Sequence, residues 1–566
     1  MNPFIKEITD LLAPLTDLSA KEIVPLLEIP PDEKMGDYAF PCFTLANRFR
    51  KAPAAIAQEL VGRIGEGTLI TEVRHAGPYI NFVVDRAELT RHVLTRILEE
   101  GERCGESREG EGKTVVADYS SPNIARPFTI AHLRSTAIGH SICKTYEALG
   151  YRVVRVNHLG DWGTQFGKLI TAYQHWGDRE KLTEEPVLEM FDLYVRFHRE
   201  AEEHTELEDE AREWFRRLEK GDGEARSIWE WFREESLREF NRLYETLGVT
   251  FDSYAGESFY NGMVDDLIEE AVSKGVAVEG EEGALIVDLS MYDMPPCILR
   301  KKDGSSIYAT RDLCAAKYRY ETYHFDRMVY TTDAGQSLHF RQVFKVLDLL
   351  GYEWASRCVH VPFGVLSFRE GRMSTRRGNV IFLEDVLNRA VEMTRQIIEG
   401  KNPDLEEKDQ VARDVGIGAV IHADLSIRRM KNVIFDWDEI LNFDGDTGPY
   451  IQYTYARLCS ILRKYGREIP TACDVGLLTD ELELAVVRHL DRFPGKIKGA
   501  AEACEPSMIA GYLSDLVTAV NRFYNACRVI GEDESLTGAR IALVAAARTV
   551  IGKGLALLGM KTPERM

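Results

Sequence analysis

The sequence predicts an α/β protein: a core built on a parallel sheet and interrupted by a helical insertion, preceded by an α+β unit and followed by an all-α helical bundle. Three observations carry that expectation. Residues 114–156 give strand, turn, helix and strand signals in the order of a βαβ unit, residues 327–366 repeat that order, and from about residue 384 the apolar positions fall almost wholly at helical spacing.

In chain order, residues 1–110 form the first unit, with an amphipathic opening helix, a strand-like alternation in ITEVRHAGPYINFVVD and the glycine-rich EEGERCGESREGEGK as a linker. The core runs over 113–385. Its first strand, the β-branched run 114–117, stops at Asp118, and a Ser/Pro/Asn cluster turns the chain. From His132 the residues Ile138, Ile142 and Leu149 keep helical spacing, Gly150 ends that helix, and 151–156 reads as the next strand. A charge-rich helical insertion occupies about 171–295. A strand at 327–332, a helix from about Ser337 to Leu350 stopped by Gly351, and a strand at 358–366 complete the core. Residues 386–566 form the bundle, with helices near 384–399, 407–423, 447–465, 478–504 and 507–530.

Composition narrows the function. With 566 residues and 45% hydrophobic content the chain can bury several cores. No apolar run approaches the roughly 18 residues of a membrane span and the N-terminus lacks a secretory pattern, so a cytoplasmic location is expected. Ten cysteines without a CxxC pair and thirteen histidines without HExxH predict no structural metal. The net charge of −21 argues against binding RNA, yet from Ile451 onward 15 Lys and Arg face 13 Asp and Glu, so the acidic excess lies in the first 450 residues.

In a βαβ unit the helix N-terminus aims free N–H groups and positive dipole at an anion above the first strand's carboxyl end. The dinucleotide glycine fingerprint and the glycine–lysine P-loop are both absent, which leaves Arg126, Thr129 and His132 as the groups in the turn able to hold a phosphate. A second basic element, GRMSTRRGNV at 371–380, offers Arg372, Arg376 and Arg377 beside Gly378.

These segments carry a resemblance. SPNIARPFTIAHLRST followed by NHLGDWGTQFG resembles the nucleotide-binding segment of arginyl-tRNA synthetases, with Thr129-Ile130-Ala131-His132 where class I enzymes carry His-Ile-Gly-His. GRMSTRRGNV resembles the Lys-Met-Ser-Lys-Ser loop, and YATRDL (308–313) and DAGQSLHF (333–340) resemble arginine-pocket segments. GDYAFPCFTLA, TGPYIQYTYAR and the closing LLGMKTPERM extend the likeness over the whole chain.

The resemblance implies a Rossmann-like catalytic core, an N-terminal domain touching the tRNA elbow and a bundle that reads the anticodon. It implies ATP-dependent ligation of L-arginine to tRNA(Arg) through an arginyl-adenylate, with ATP and Mg²⁺ as cosubstrates, activation that needs bound tRNA, no editing domain and a monomer. By the same resemblance Pro122, Asn123, Ile124, Ala125, Arg126, Pro127, Phe128, Thr129, Ile130, Ala131 and His132 form the ATP motif, and Arg372, Met373, Ser374, Thr375 and Arg376 the ATP loop. Catalysis would fall to His132, Thr129, Arg126, Arg372, Ser374 and Arg376; the arginine pocket to Asp118, Asn123, Tyr308, Asp312 and Gln336; RNA contacts to Tyr450, Tyr453, Arg457 and the terminal 560–566 segment. A guanidinium is a planar fork that pairs best with carboxylate oxygens, which suits Asp312 with Tyr308 one helical turn before it. Either Asp118 or Asn123 suits the α-ammonium or a guanidinium edge. The chain departs from the class pattern at Thr129, Ala131, Arg372 and Thr375, and at Arg126 where the family often has lysine. A catalytically silent paralogue acting as an RNA-binding or regulatory protein is the competing expectation, and a class I enzyme for another amino acid the third.

Overall fold

Residues 70–84 close a hairpin that buries Ile70, Ile80, Phe82 and Val84, and this hairpin with one further strand makes the first sheet. Strands β1 (Tyr38–Pro41), β2 (Ile70–Ala76) and β3 (Tyr79–Val84) pair antiparallel in the order β1-β3-β2, with Gly77 supplying the positive φ of the tight turn. The structure is a computed structural model that describes residues 2–30, 32–280, 283–302, 304–305, 307–368, 381–442, 445–470 and 473–566. It divides into two compact units: Met1–Gly101 with Lys464–Asp491 and Ala519–Thr549, and Glu102–Arg463 with Arg492–Thr518 and Val550–Met566. In the first unit the helix Pro3–Thr16, capped by Asn2, buries Phe4, Ile8 and Leu12, and Arg488 pairs with Asp37 at 3.1 Å.

The second unit is organised by a four-stranded parallel sheet. Strands β4 (Thr114–Asp118), β5 (Arg152–Val156), β6 (Arg327–Asp333) and β7 (Cys358–Phe363) lie in the order β7-β6-β4-β5, with Val116 opposite Val154 on one side and Met328 on the other. The helix Ile130–Ala148 crosses from β4 to β5, and Gly139 lets it approach so closely that a Cβ there would lie 2.3 Å from Tyr119. The sheet order reverses at β4, and its neighbour on the far side, β6, comes from the second half of the core. This topological switch point is where open α/β sheets place a ligand crevice.

The insertion contributes the helices Pro186–Ala201, Glu206–Glu219 and Gly223–Leu247, which bury Val187, Met190, Phe197, Ala211 and Phe232 together. Four features depart from the sequence reading. The nucleotide-turn helix starts at Ile130, two residues early, because Thr129 caps it. The stretch 358–366 is not one strand: at Gly364 the chain leaves the sheet, its N–H bonding Arg429 O, and Leu366–Phe368 pairs in parallel with Val433–Phe435. The helix Glu534–Leu557 escaped detection because Ile541, Val544, Ala546, Val550 and Leu555 bury it on every side, which erases the amphipathic period. The glycine-rich 99–113 stretch carries the junction of the two units at Gly101–Glu102 but is no loose linker beyond it: Cys104 is buried, and a Cβ on Gly105 would meet Ile497 at 2.8 Å.

Candidate functional site

Strand β4 ends at Asp118, and the turn beyond it holds Ser120, Ser121 and Ala125 in the left-handed region that disfavours side chains. Such strain persists only where the surroundings fix it. Here Ser120 N–H donates to Ser135 Oγ at 2.9 Å, Ser121 N–H to Asn157 Oδ1 at 3.1 Å and Ala125 N–H to Ser236 Oγ at 2.9 Å. Tyr244, like Ser236 on the insertion's long helix, accepts from Asn157 at 3.0 Å and shares a 2.8 Å bond with the Ser120 hydroxyl, so the insertion braces the turn from behind. Asn123 forms a parallel bridge with Gly160, and a Cβ on Gly160 would stand 1.9 Å from Asn123 Oδ1.

At the helix N-terminus His132 turns its Nδ1 back to the cap, accepting from Thr129 N–H at 3.0 Å with the Thr129 hydroxyl also 3.0 Å away. Burial pushes its pKa down to about 4, so the ring is neutral near pH 7 and, with Nδ1 occupied as acceptor, carries its proton on Nε2. Arg126 is exposed with its guanidinium 5.5 Å from the Tyr194 ring centroid, and Ala131 is exposed beside His132. Residues Arg372, Met373, Ser374, Thr375 and Arg376 lie outside the described residues. The Ile381 carbonyl accepts from Ile130 N–H at 3.1 Å, and Phe128 O accepts from Leu383 N–H at 2.9 Å.

A cavity of about 420 Å³ opens at the carboxyl ends of β4 and β6. Its lining includes Asp118, Asn123, Tyr308, Asp312 and Gln336, together with Ser121, His158, Gly160, Glu257, Thr332, His339 and Phe340. Among the described residues it presents three carboxylates and neither lysine nor arginine. Tyr308 and Asp312 stand on one face of the helix Tyr308–Tyr323, four residues apart. His339 donates from Nε2 to Asp312 Oδ2 at 2.6 Å, and His158 Nε2 lies 3.7 Å from Oδ1. Burial pushes the Asp312 carboxyl up, but the His339 bond and the neighbouring His158 and Arg319 outweigh it and leave Asp312 below the ordinary carboxylate range. Asp118 accepts from Arg319 at 2.7 Å and from the Ser121 hydroxyl at 2.9 Å.

Sequence reasoning missed Glu257. It is held by the segment Gly256–Ser258: Asp161 accepts from Ser258 N–H at 2.8 Å and Oγ at 2.9 Å, and itself pairs with Arg233 of the insertion at 3.0 Å. Glu257 Oε2 is buried and accepts no hydrogen bond among the described residues, while Arg311 stands 3.6 Å away. Burial therefore raises its pKa to about 8 against the opposing pull of Arg311. No motif marks GESFY; its short spacing to the following helix carries no period to read. His158 and His339 lie inside the motifs NHLGDWGTQFG and DAGQSLHF, so a signal for them existed.

The proposed RNA residues lie on the helix Gly448–Tyr465: Tyr453 is exposed with Arg457 4.8 Å from its ring centroid, and Tyr450 is half-buried. The terminal segment is anchored, Gln452 donating to Lys561 O at 2.8 Å and Arg565 pairing with Glu406 at 3.0 Å.

A parallel sheet with a capped helix after its first strand and an acidic cavity at its switch point is the frame of nucleotide-dependent enzymes, and comparison with known proteins specifies which. Residues 93–437 match the model of the tRNA synthetases class I (R) catalytic domain, 451–566 the DALR anticodon binding domain and 3–84 the arginyl tRNA synthetase N-terminal domain. The arginine–tRNA ligase of Halothermothrix orenii is 48% identical over 100% of both chains, and that of Clostridioides difficile is 49% identical over 98% of this chain and 97% of its own. Among solved structures, Thermus thermophilus arginyl-tRNA synthetase superposes with a TM-score of 0.85 at 26% identity, covering 100% of this chain and 99% of that one. The chain belongs to the arginyl-tRNA synthetase family.

Proposed function

We propose that the chain ligates L-arginine to tRNA(Arg) at the expense of ATP. The observation that carries this reading is the cavity with three carboxyl groups and neither lysine nor arginine among its described lining residues, which suits a ligand bearing two cationic ends. Asp312 and Glu257 suit the guanidinium, since both are held on rigid elements and a fork of N–H donors pairs with carboxylate oxygens. Asp118, Asn123 and Gln336 suit the α-amino acid end, which leaves the substrate carboxylate toward the nucleotide turn.

In the first step a carboxylate oxygen of arginine attacks the α-phosphorus of ATP, a new O–P bond forms and pyrophosphate leaves. His132, neutral with its N–H on Nε2, donates to a phosphate oxygen; Arg126, Arg372 and Arg376 supply positive charge to the departing pyrophosphate, and Ser374 a hydroxyl donor. ATP enters as its Mg²⁺ complex. In the second step a ribose hydroxyl of the terminal adenosine attacks the carbonyl and AMP leaves. Activation waits on bound tRNA, which the bundle's Tyr450, Tyr453 and Arg457 and the N-terminal domain receive, and the chain works as a cytoplasmic monomer. The division 1–110, 113–385 with its insertion, and 386–566 describes these working parts.

A silent paralogue is not favoured: loss of catalysis would let the pocket erode, whereas all five residues expected to hold arginine line one cavity. The test is transfer of labelled arginine to unfractionated tRNA with ATP. Acid-precipitable arginine is expected, and none, in a protein that still binds tRNA, would overturn the reading.

A further inference from the structure

Beneath the cavity runs a buried chain of polar groups that the two reaction steps leave unused. Arg319 is 1% exposed and sits on the same face of its helix as Asp312, seven residues on. Its Nη1 donates to Asp118 at 2.7 Å and its Nη2 to Nδ1 of His158 at 3.1 Å. Its guanidinium carbon lies 5.9 Å from the Tyr260 centroid and 5.7 Å from that of Tyr330, and the His158 ring stacks on Tyr260 at 5.6 Å with 25° between planes. A fully buried ion pair of this kind adds little net stability over an apolar replacement, so its value is sought in what it specifies.

What it specifies is the direction of an imidazole. A neutral histidine has one N–H and one lone pair, and the bond made by one nitrogen fixes the other. Arg319 can only donate. His158 Nδ1 must therefore be the acceptor, and Nε2, 3.7 Å from Asp312 Oδ1, must carry the proton. With the opposite tautomer a lone pair would face that carboxylate. Asp312 thus has an N–H on each side, His339 bonded to Oδ2 and His158 facing Oδ1, with acceptor positions left over for an incoming fork.

Resting on the reading of this cavity as the arginine pocket, we propose that Arg319 is a positioning residue for arginine recognition, acting through His158 to hold Asp312 ionised and its oxygen pair turned to the guanidinium. The charged and polar groups around His158 are Arg319, Asp118, Asp312, Asp161 and Tyr260, and Arg319 is the one that dictates its tautomer. The specificity that follows is for a cation: citrulline, whose urea has an oxygen where arginine has an N–H, should be refused in proportion to how well Asp312 is held.

The test is a double-mutant cycle read by calorimetric binding of arginine and of citrulline. R319K keeps a charge for Asp118 and so the fold, but has a single ammonium in place of the fork. H158Q offers Asp312 an amide N–H that needs no tautomer. R319K is expected to weaken arginine binding about tenfold and to narrow the arginine-to-citrulline ratio, with ATP affinity unchanged. In the H158Q background the same change should have little further effect. Arginine binding by folded R319K at wild-type strength, or equal losses in both backgrounds, would overturn the proposal. Long-range ¹⁵N–¹H spectra of the wild-type imidazoles, assigned with H158Q, supply an arm free of any folding defect: His158 protonated on Nδ1 would also overturn it. D312N separates the two layers. If it leaves arginine binding intact the pocket reading itself fails; if it abolishes binding while R319K is harmless, only the role of Arg319 fails.

Discussion

Glu257 should make arginine binding release a proton. Its carboxyl titrates at about 8 because burial penalises the charge and Arg311, at 3.6 Å, only partly offsets it. Near pH 7 about 90% of the empty protein then holds the proton. A guanidinium placed against Oε2 favours the ionised form, so binding should release about 0.9 proton at pH 7 and about 0.5 at pH 8, and affinity should rise by up to about tenfold per pH unit below 8. The same shift has a sign for folding. A carboxyl whose folded pKa is raised holds its proton better in the folded state, so its contribution to stability is greatest below about 4.5 and is lost as pH rises through 8. The assay is titration calorimetry of arginine in two buffers of low and high ionisation enthalpy. The apparent enthalpies should differ for the wild type and coincide for E257Q, whose affinity should fall about tenfold to a hundredfold. Equal apparent enthalpies in the two buffers for the wild type would mean that Glu257 loses no proton on binding.

Three other outcomes are expected. H132A should lower the rate of arginine activation about 10²- to 10³-fold with little change in arginine affinity; because His132 titrates at about 4, the wild-type rate should show no inflection near pH 6.5 from this ring. Replacing Arg134, paired at 2.8 Å with the buried Asp424 and donating to Gly364 O and Lys431 O at 2.9 Å each, strands a buried carboxyl; R134M should cost about 3–5 kcal/mol in denaturant unfolding. G160A should push Asn123 out of the cavity and raise the KM for arginine about tenfold, since the added methyl falls 1.9 Å from Oδ1.

Much of the site was legible because its chemistry sits in contiguous motifs. Asp118, Asn123, Tyr308, Asp312 and Gln336 come from β4, its turn, one helix face and the turn after β6, each marked by a local pattern, and the fold gathers them into one cavity. Glu257 was not legible: it is aimed by Asp161 and Arg233, contacts that join distant parts of the chain and leave no trace in local spacing. Arg319 was hidden for a similar reason, since a buried arginine in a helix reads as a surface one until its partners Asp118 and His158 are known. In the fold, periodicity succeeded where one face is buried, as in Ser337–Leu349, and failed for Glu534–Leu557, where every face is. Val433–Phe435 escaped because three residues are too few to show a period against helical neighbours.

Whether this cavity serves arginine activation despite Thr129, Ala131 and Arg126 at motif positions is decided by ATP–pyrophosphate exchange with each of the twenty amino acids, with and without unfractionated tRNA. Exchange with arginine alone, and only when tRNA is present, is the predicted result; exchange with another amino acid, or none under any condition, would contradict it.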